Sequence, residues 1–287
     1  MEYWQLILYA ISATMLFSVL AMGFGFILRS TKFFNIVYGG AFLIGGYMMF
    51  LFYRILSFNF FIAFILSILI SGLYFLFSYK FIFSPLLKQK ASNFVLLIAS
   101  FGLLTATSAI IGMFFGNQTT LIARHLSDIY TVNIFGTVLN IIQIFAIVIS
   151  PILICIFAFV YFKTRFGRAI RAIEDDKEMA ELVGVPSDKI FLAIFFIGGT
   201  LAGLGGIAEG FDVGIMPSSA LFYMLPVIVA TVVGGIKSFW GAILGTFILV
   251  LAQKLTIIFL GGSWEQAVPF VILIIMLLFR PEGILKK

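Results

Sequence analysis

The chain has 287 residues, 62% of them hydrophobic, 17% aromatic and 10% charged, with a mean hydropathy of +1.19; such a composition makes lipid its solvent and excludes a soluble enzyme domain. A formal net charge of +6 and a pI near 9.4 do not signal nucleic acid, because the lysines and arginines stand at the ends of apolar runs rather than along one face. The single Cys155 and the single His125 exclude an intramolecular disulfide and leave no ligand set for a structural zinc.

The predicted elements begin with an apolar run over 4–28. It is too long for the core of a cleaved signal, and Met1, Glu2, Tyr3 and Trp4 supply no basic leader, so a retained membrane helix is expected. Further apolar runs follow at 33–53, 56–79, 93–115, 137–162, 190–210, 221–236, 239–259 and 267–279. Most exceed the roughly 18 residues needed to cross about 30 Å of hydrocarbon. They lack the alternation of a transmembrane barrel, which leaves helices as the way to satisfy the backbone. The expected fold is therefore all-α: one polytopic transmembrane helical bundle over 1–287, with about eight to ten passes, of which 221–236 and 267–279 are short for a span.

Basic groups assign sidedness. Arg29 and Lys32, then Lys80, Lys88 and Lys90, then Lys163, Arg165, Arg168 and Arg171, and finally Arg280, Lys286 and Lys287 face the cytoplasm by the positive-inside rule. The stretch 116–136, with Arg124, His125 and Asp128, faces outward, as does the stretch around Asp212. Within 33–53, Asn35, Gly39, Gly40, Gly45 and Gly46 are dense enough to predict a broken or re-entrant helix lining a cavity. Later, Gly198, Ala202, Gly206 and Gly210 recur every fourth residue with Gly199 and Gly203 beside them. That flat face reads either as tight helix packing or as a surface that slides during transport.

The polar stretch 163–190 interrupts this pattern, and its segment 166–186 holds five of the chain's 12 acidic residues: Glu174, Asp175, Asp176, Glu178 and Glu181. It is shorter than the roughly 40 residues at which a domain can hold its own core, so it is a loop of the membrane domain. Residues 168–185 read as one amphipathic helix, with Ile170, Ile173, Lys177, Ala180 and Gly184 along one side and Pro186 limiting it. It is either an ordinary charged loop or a coupling helix that fits a groove on a soluble partner. A divalent-metal site at Asp175, Asp176 and Glu178 would need a second carboxylate cluster, and the other acids are scattered. Gly234-Gly-Ile-Lys-Ser238 fails the phosphate-loop pattern because Ile236 separates glycine from lysine. Hence the chain has no nucleotide site and no catalytic constellation, and any ATP that drives it binds elsewhere. Glu209 and Asp212 are expected at a solvated helix end, and Lys254 is expected to snorkel.

Four stretches carry a resemblance. They are Phe34-Asn-Ile-Val-Tyr-Gly-Gly-Ala-Phe-Leu-Ile-Gly-Gly-Tyr47; the pair Phe166-Gly-Arg-Ala-Ile-Arg-Ala and Ala180-Glu-Leu-Val-Gly-Val; Thr231-Val-Val-Gly-Gly-Ile-Lys-Ser-Phe-Trp-Gly-Ala-Ile-Leu-Gly245; and Arg280-Pro-Glu-Gly-Ile-Leu. In type and order they resemble the inner-membrane permease subunits of branched-chain amino-acid ABC importers, with Tyr38 where that family usually has His and Lys237 where it usually has Gly. The resemblance implies a permease that is not itself an enzyme. It also implies a second homologous permease, two cytoplasmic ATP-binding subunits that carry ATP and Mg, and an extracytoplasmic solute-binding protein, with membrane lipid around it. It points to Asn35, Tyr38, Gly39, Gly40, Gly45, Gly234 and Gly235 for the substrate path. For coupling to the ATPase within 163–190 it points to Arg168, Arg171, Glu174, Asp175, Glu178, Ala180 and Gly184. Related permeases carry urea, short amides, sugars or nucleosides, and a self-sufficient channel or secondary carrier is the alternative from another class.

Overall fold

The computed structural model describes residues 3–123, 131–134, 137–280 and 283–285. Arg124, His125 and Asp128 of the expected outward loop lie outside these residues, as do Lys286 and Lys287. The described chain is helical apart from one hairpin, with α1 (Tyr3–Thr31), α2 (Tyr38–Met49), α3 (Phe60–Ser78), α4 (Ser84–Lys88), α5 (Asn93–Phe115), β1 (Thr131–Ile134), β2 (Thr137–Asn140), α6 (Ile141–Lys163), α7 (Arg165–Asp175), α8 (Lys177–Leu182), α9 (Ser187–Asp212), α10 (Ser219–Gly234), α11 (Phe239–Leu260) and α12 (Val268–Phe279). A π-helical stretch, Tyr79–Phe83, joins α3 to α4. Against eight to ten expected passes, six helices among the described residues are long and apolar enough to cross a membrane, while α10 and α12 are apolar but shorter. Phe61, Phe94, Met113 and Phe114 stand more than two-thirds exposed, as side chains facing lipid do.

Local chemistry sets the helix starts. Asn59 accepts from the Phe61 amide at 3.0 Å ahead of α3, and Ser92 from the Val95 amide at 3.4 Å ahead of α5; each satisfies an amide that the first turn leaves unpaired. The apolar run expected as helix from 137 opens instead as a strand: β1 and β2 pair antiparallel with Thr131 opposite Asn140. The helix starts only at Ile141, where the Asn140 side chain accepts from the Ile142 amide at 3.3 Å. The glycine-rich segment also departs from expectation. Its non-helical part is 32–37, and α2 then runs unbroken through Gly39, Gly40, Gly45 and Gly46 before a π-helical turn, Phe50–Ile55.

Two compact units emerge. The first comprises Met1–Gly25, Ala123–Pro151 and Leu221–Lys287, and the second Phe26–Ile122 and Ile152–Ala220. In the first, α10 and α11 form a close hairpin: a side chain at Gly234 would collide with the Gly241 carbonyl, and one at Gly245 with that of Ala230. The turn between them needs Gly235 at φ 109°, a backbone that L side chains rarely adopt. Residues 283–285 return to this turn, where the Ile284 amide donates to the Val233 carbonyl at 2.9 Å and the Leu285 amide to that of Gly234 at 3.1 Å. Val229, Val233 and Leu249 form the core beneath, with Ile272, Leu273 and Met276 of α12 against it.

The second unit is built on α2, α3 and α9. Backbone meets backbone there: Gly45 lies against Gly203 and Gly46 against Gly206, while Gly199 meets Ser71 and Gly72. Ser71 Oγ sits 2.7 Å from the Ala41 carbonyl and 2.8 Å from that of Gly199, so one buried hydroxyl ties three helices. Without side chains at the contact, helices in lipid gain dispersion and carbonyl-directed hydrogen bonds that bulkier residues would block. The glycine face expected on α9 is thus a packed face.

Candidate functional site

The polar island is two helices where the sequence predicts one. Thr164 starts α7 by accepting from the Gly167 amide at 3.1 Å. Gly167 is required at this bend, since a Cβ there would collide with the carbonyls of Val160 and Tyr161. After Asp175 the backbone extends at Asp176 (φ −150°, ψ 111°), and the Asp176 carboxylate accepts from the amides of Glu178 and Met179 at 2.9 and 3.1 Å. An aspartate at that position is a strong N-cap, so it ends one helix by starting another. Gly184, at φ 86°, closes α8, and Pro186 precedes α9.

Glu174 anchors the island. Its carboxylate accepts from Arg29 Nε at 3.4 Å and from the Tyr161 hydroxyl, and Lys32 donates to its backbone carbonyl. Arg171 donates to the Tyr161 carbonyl and lies over the Tyr161 ring, 5.4 Å from its centroid. The pair is buried, with side-chain exposures of 5% for Arg29 and 7% for Glu174; in such a setting, losing one partner strands a charge. Ile170 and Ile173 are buried on the same side.

The outer side is different. Arg168, Asp175, Glu178 and Gly184 are exposed, and Ala180, to which the resemblance points for coupling, is buried at 3%. The exposed apolar residues at the tip are Met179, Leu182 and Val183, at 61, 82 and 79%. Sequence reading missed them, although the signal was available: three apolar side chains in the one stretch with no membrane to receive them. No group of three or more potential metal ligands occurs among the described residues.

The residues assigned to a substrate path fall into two sets. Asn35 and Tyr38 are fully buried in the second unit. Asn35 Oδ1 accepts from the Val37 amide at 3.2 Å, and its Nδ2 meets no hydrogen-bond acceptor. Tyr38 packs edge-on to Phe75, with centroids 6.0 Å apart. Gly39, Gly40 and Gly45 share α2 with Tyr38; a side chain at Gly40 would press on the Tyr74 hydroxyl, and one at Gly45 on the Gly203 backbone. Gly234 and Gly235 belong to the α10–α11 turn of the first unit. One further expectation changes. Glu209, expected at a solvated helix end, is 6% exposed, because residues 120–122 fold across that end, where the Ile122 amide donates to the Gly210 carbonyl at 2.9 Å. Lys254, half-buried, pairs with Glu265 at 3.1 Å.

Comparison with known proteins gives the arrangement its context. The family model described as "Branched-chain amino acid transport system / permease component" matches residues 6–277. The high-affinity branched-chain amino acid transport system permease protein BraD of Pseudomonas aeruginosa is 33% identical over 153 residues, covering 53% of this chain and 50% of that protein. The corresponding LivH protein of Escherichia coli K12 is 35% identical over 125 residues, covering 43% of this chain and 41% of that one. The chain therefore spans about half the length of the curated relatives it matches. Among solved structures, PsaBC from Streptococcus pneumoniae in complex with Fab shares the fold with a TM-score of 0.52 at 14% identity, over 95% of this chain and 91% of that one. With its apolar helices and a family match over nearly all its length, the chain is a multi-pass inner-membrane protein that belongs to the branched-chain amino acid transport system permease family.

Proposed function

We propose that the chain is the transmembrane permease subunit of an ATP-driven importer of branched-chain, hydrophobic amino acids. It would work with a second homologous permease, two cytoplasmic ATP-binding subunits carrying ATP and Mg, and an extracytoplasmic solute-binding protein. The observation that carries this reading is the α8 tip. Met179, Leu182 and Val183 are exposed on a polar island that is itself fixed through Glu174 to Arg29 at the end of a membrane helix. An apolar tip on a rigid polar mount suits insertion into a groove of a soluble subunit. Movement of that subunit would be carried by α7 into α1 and, through the glycine contacts, by α9, α2 and α3 as one block.

For the path, the reading favours the start of α2. The buried Asn35 Nδ2, which meets no acceptor, offers a donor to a carboxylate at the positive end of the α2 dipole, while Tyr38 and the backbone at Gly39 and Gly40 border it. Gly45, Gly234 and Gly235 act by admitting neighbouring backbone, which keeps the path walls thin. An amino acid needs no fixed counter-charge in the membrane if such dipoles solvate its two ends.

The test is reconstitution with the partner subunits in proteoliposomes, measuring labelled leucine uptake with and without ATP and with unlabelled isoleucine, fructose or urea as competitors. ATP-dependent uptake suppressed by isoleucine alone is expected. Suppression by fructose or urea would move the substrate class, and uptake without ATP would replace the importer with a carrier.

A further inference from the structure

A cavity of about 280 Å³ opens beside the α7–α8 joint within the second unit. Its buried lining is part apolar and part hydroxyl: Ile173 and Phe191 are buried and Leu87 is half-buried, beside the buried Ser30 and Thr31, whose hydroxyls donate to the Phe26 and Ile27 carbonyls of α1. Its rim carries both signs of charge, with Lys32 and Lys177 as cations and Asp175 and Asp176 as anions, all four exposed. Lys177 is held at the edge by the Phe191 ring, with Nζ 5.4 Å from the centroid, and pairs only loosely with Glu181 at 3.7 Å. Lys32 follows α1 at φ 62°, a conformation unfavourable for any residue with a side chain. Strain of this kind persists where the surroundings require a particular placement of the residue.

Ammonium groups beside carboxylates, with Ile173, Phe191 and Leu87 supplying an apolar wall, match one small-molecule class closely. We propose that this cavity binds a zwitterionic amino acid with an apolar side chain from the cytoplasm, and that its occupancy slows transport. The ligand carboxylate would meet Lys177 and Lys32, its ammonium Asp175 and Asp176, and its side chain Phe191 and Ile173. The volume falls at the small end of ligand clefts, roughly 300 to 1,000 Å³, which suits a single amino acid and is tight for a nucleotide. Asp176 is both a rim residue and the joint between α7 and α8. A ligand held there favours one setting of the island against α1 and α9, and a ligand that favours one state of a transport cycle must slow a cycle that visits others. The inference rests on the importer reading, since the transported product would be the ligand.

The experiment uses the complete transporter in proteoliposomes with the ATP-binding side outward and the solute-binding protein and labelled leucine sealed inside. Unlabelled leucine is then added outside, at the cytoplasmic face. ATP-driven release of label should slow as outside leucine rises. Lys177→Gln, and Asp176→Asn, which keeps the helix cap, should each raise the half-inhibiting leucine concentration roughly tenfold or more, as loss of one charged hydrogen bond does, with initial rates near the parent's. If either variant fails to assemble, labelled leucine binding to the parent complex without solute-binding protein, competed by isoleucine, tests the same site. Inhibition that both variants retain, or an undiminished rate at high outside leucine, would overturn the proposal and leave the importer intact. Displacement of leucine by phosphoethanolamine but not by isoleucine would also overturn it, by assigning the cavity to a lipid headgroup. No ATP-dependent release from the parent would instead reject the importer reading.

Discussion

The α2–α3–α9 block and the α7–α8 island belong to the same compact unit and are held by opposite means. In the block, side chains are removed so that backbones touch: Gly45 against Gly203, Gly46 against Gly206, and one serine hydroxyl shared between two carbonyls. In the island a single carboxylate, Glu174, gathers a guanidinium and a phenol on its own oxygens. The difference follows from solvent. Within lipid, close backbone approach is an inexpensive source of cohesion, whereas at the membrane edge a buried charge is tolerable once several donors surround it. The block therefore resists any added volume, and the island resists the loss of one group.

Adding volume to the block should have the largest effect. Gly206→Leu forces a side chain onto the Phe42 carbonyl, where overpacking usually costs about 1–3 kcal/mol and a backbone collision more; folded yield on size exclusion should fall to near background. Next is Glu174→Ala, which strands Arg29 at a cost of about 3–5 kcal/mol and should lower the unfolding midpoint and transport together. The double variant Arg29→Met with Glu174→Leu should recover most of the midpoint while leaving transport impaired, and recovery of both would reduce the network to simple packing. Leu182→Ser with Val183→Ser should leave stability within about 0.5 kcal/mol, as exposed substitutions do, yet abolish copurification of the ATP-binding subunits. The smallest effect is expected of Lys254→Met. Its pair with Glu265 is partly exposed and is worth about 0–1 kcal/mol.

Much of this was legible in the sequence. Apolar length gave the helices of the membrane domain, and the fourfold spacing of small residues gave the packed face of α9. The family resemblance rested on motifs that the structure explains separately: Gly167 at the α6–α7 bend, Gly235 at the α10–α11 turn, and residues 283–285 tied back to it. The island was legible as a site but not in its detail. Helical periodicity carries no mark of the break at Asp176, because an aspartate followed by lysine and glutamate fits a helix interior as well as a cap. It groups Ala180 with Ile170 and Ile173, which are buried alike, but carries no sign that Glu174 is buried too, since that burial depends on Arg29, 145 residues away in sequence. Strand β2 was absorbed into a helix because Thr137-Val-Leu-Asn140 continues an apolar run without a break. Ser187, a natural position for a thiol probe on sequence grounds, is 5% exposed; Glu178 on the island and Gln118 on the opposite expected side are exposed and serve better in a Cys155→Ala background.

Crosslinking at the tip tests the central claim most directly. In a Cys155→Ala background, Leu182→Cys should form a one-to-one adduct with a coexpressed ATP-binding subunit when membranes are treated with a short bis-maleimide, with a yield that changes on adding ATP, and it should stay unlabelled by impermeant thiol reagents applied to intact cells. Labelling of Leu182→Cys from outside, or no adduct in membranes where leucine uptake proceeds at the parent rate, would contradict the account.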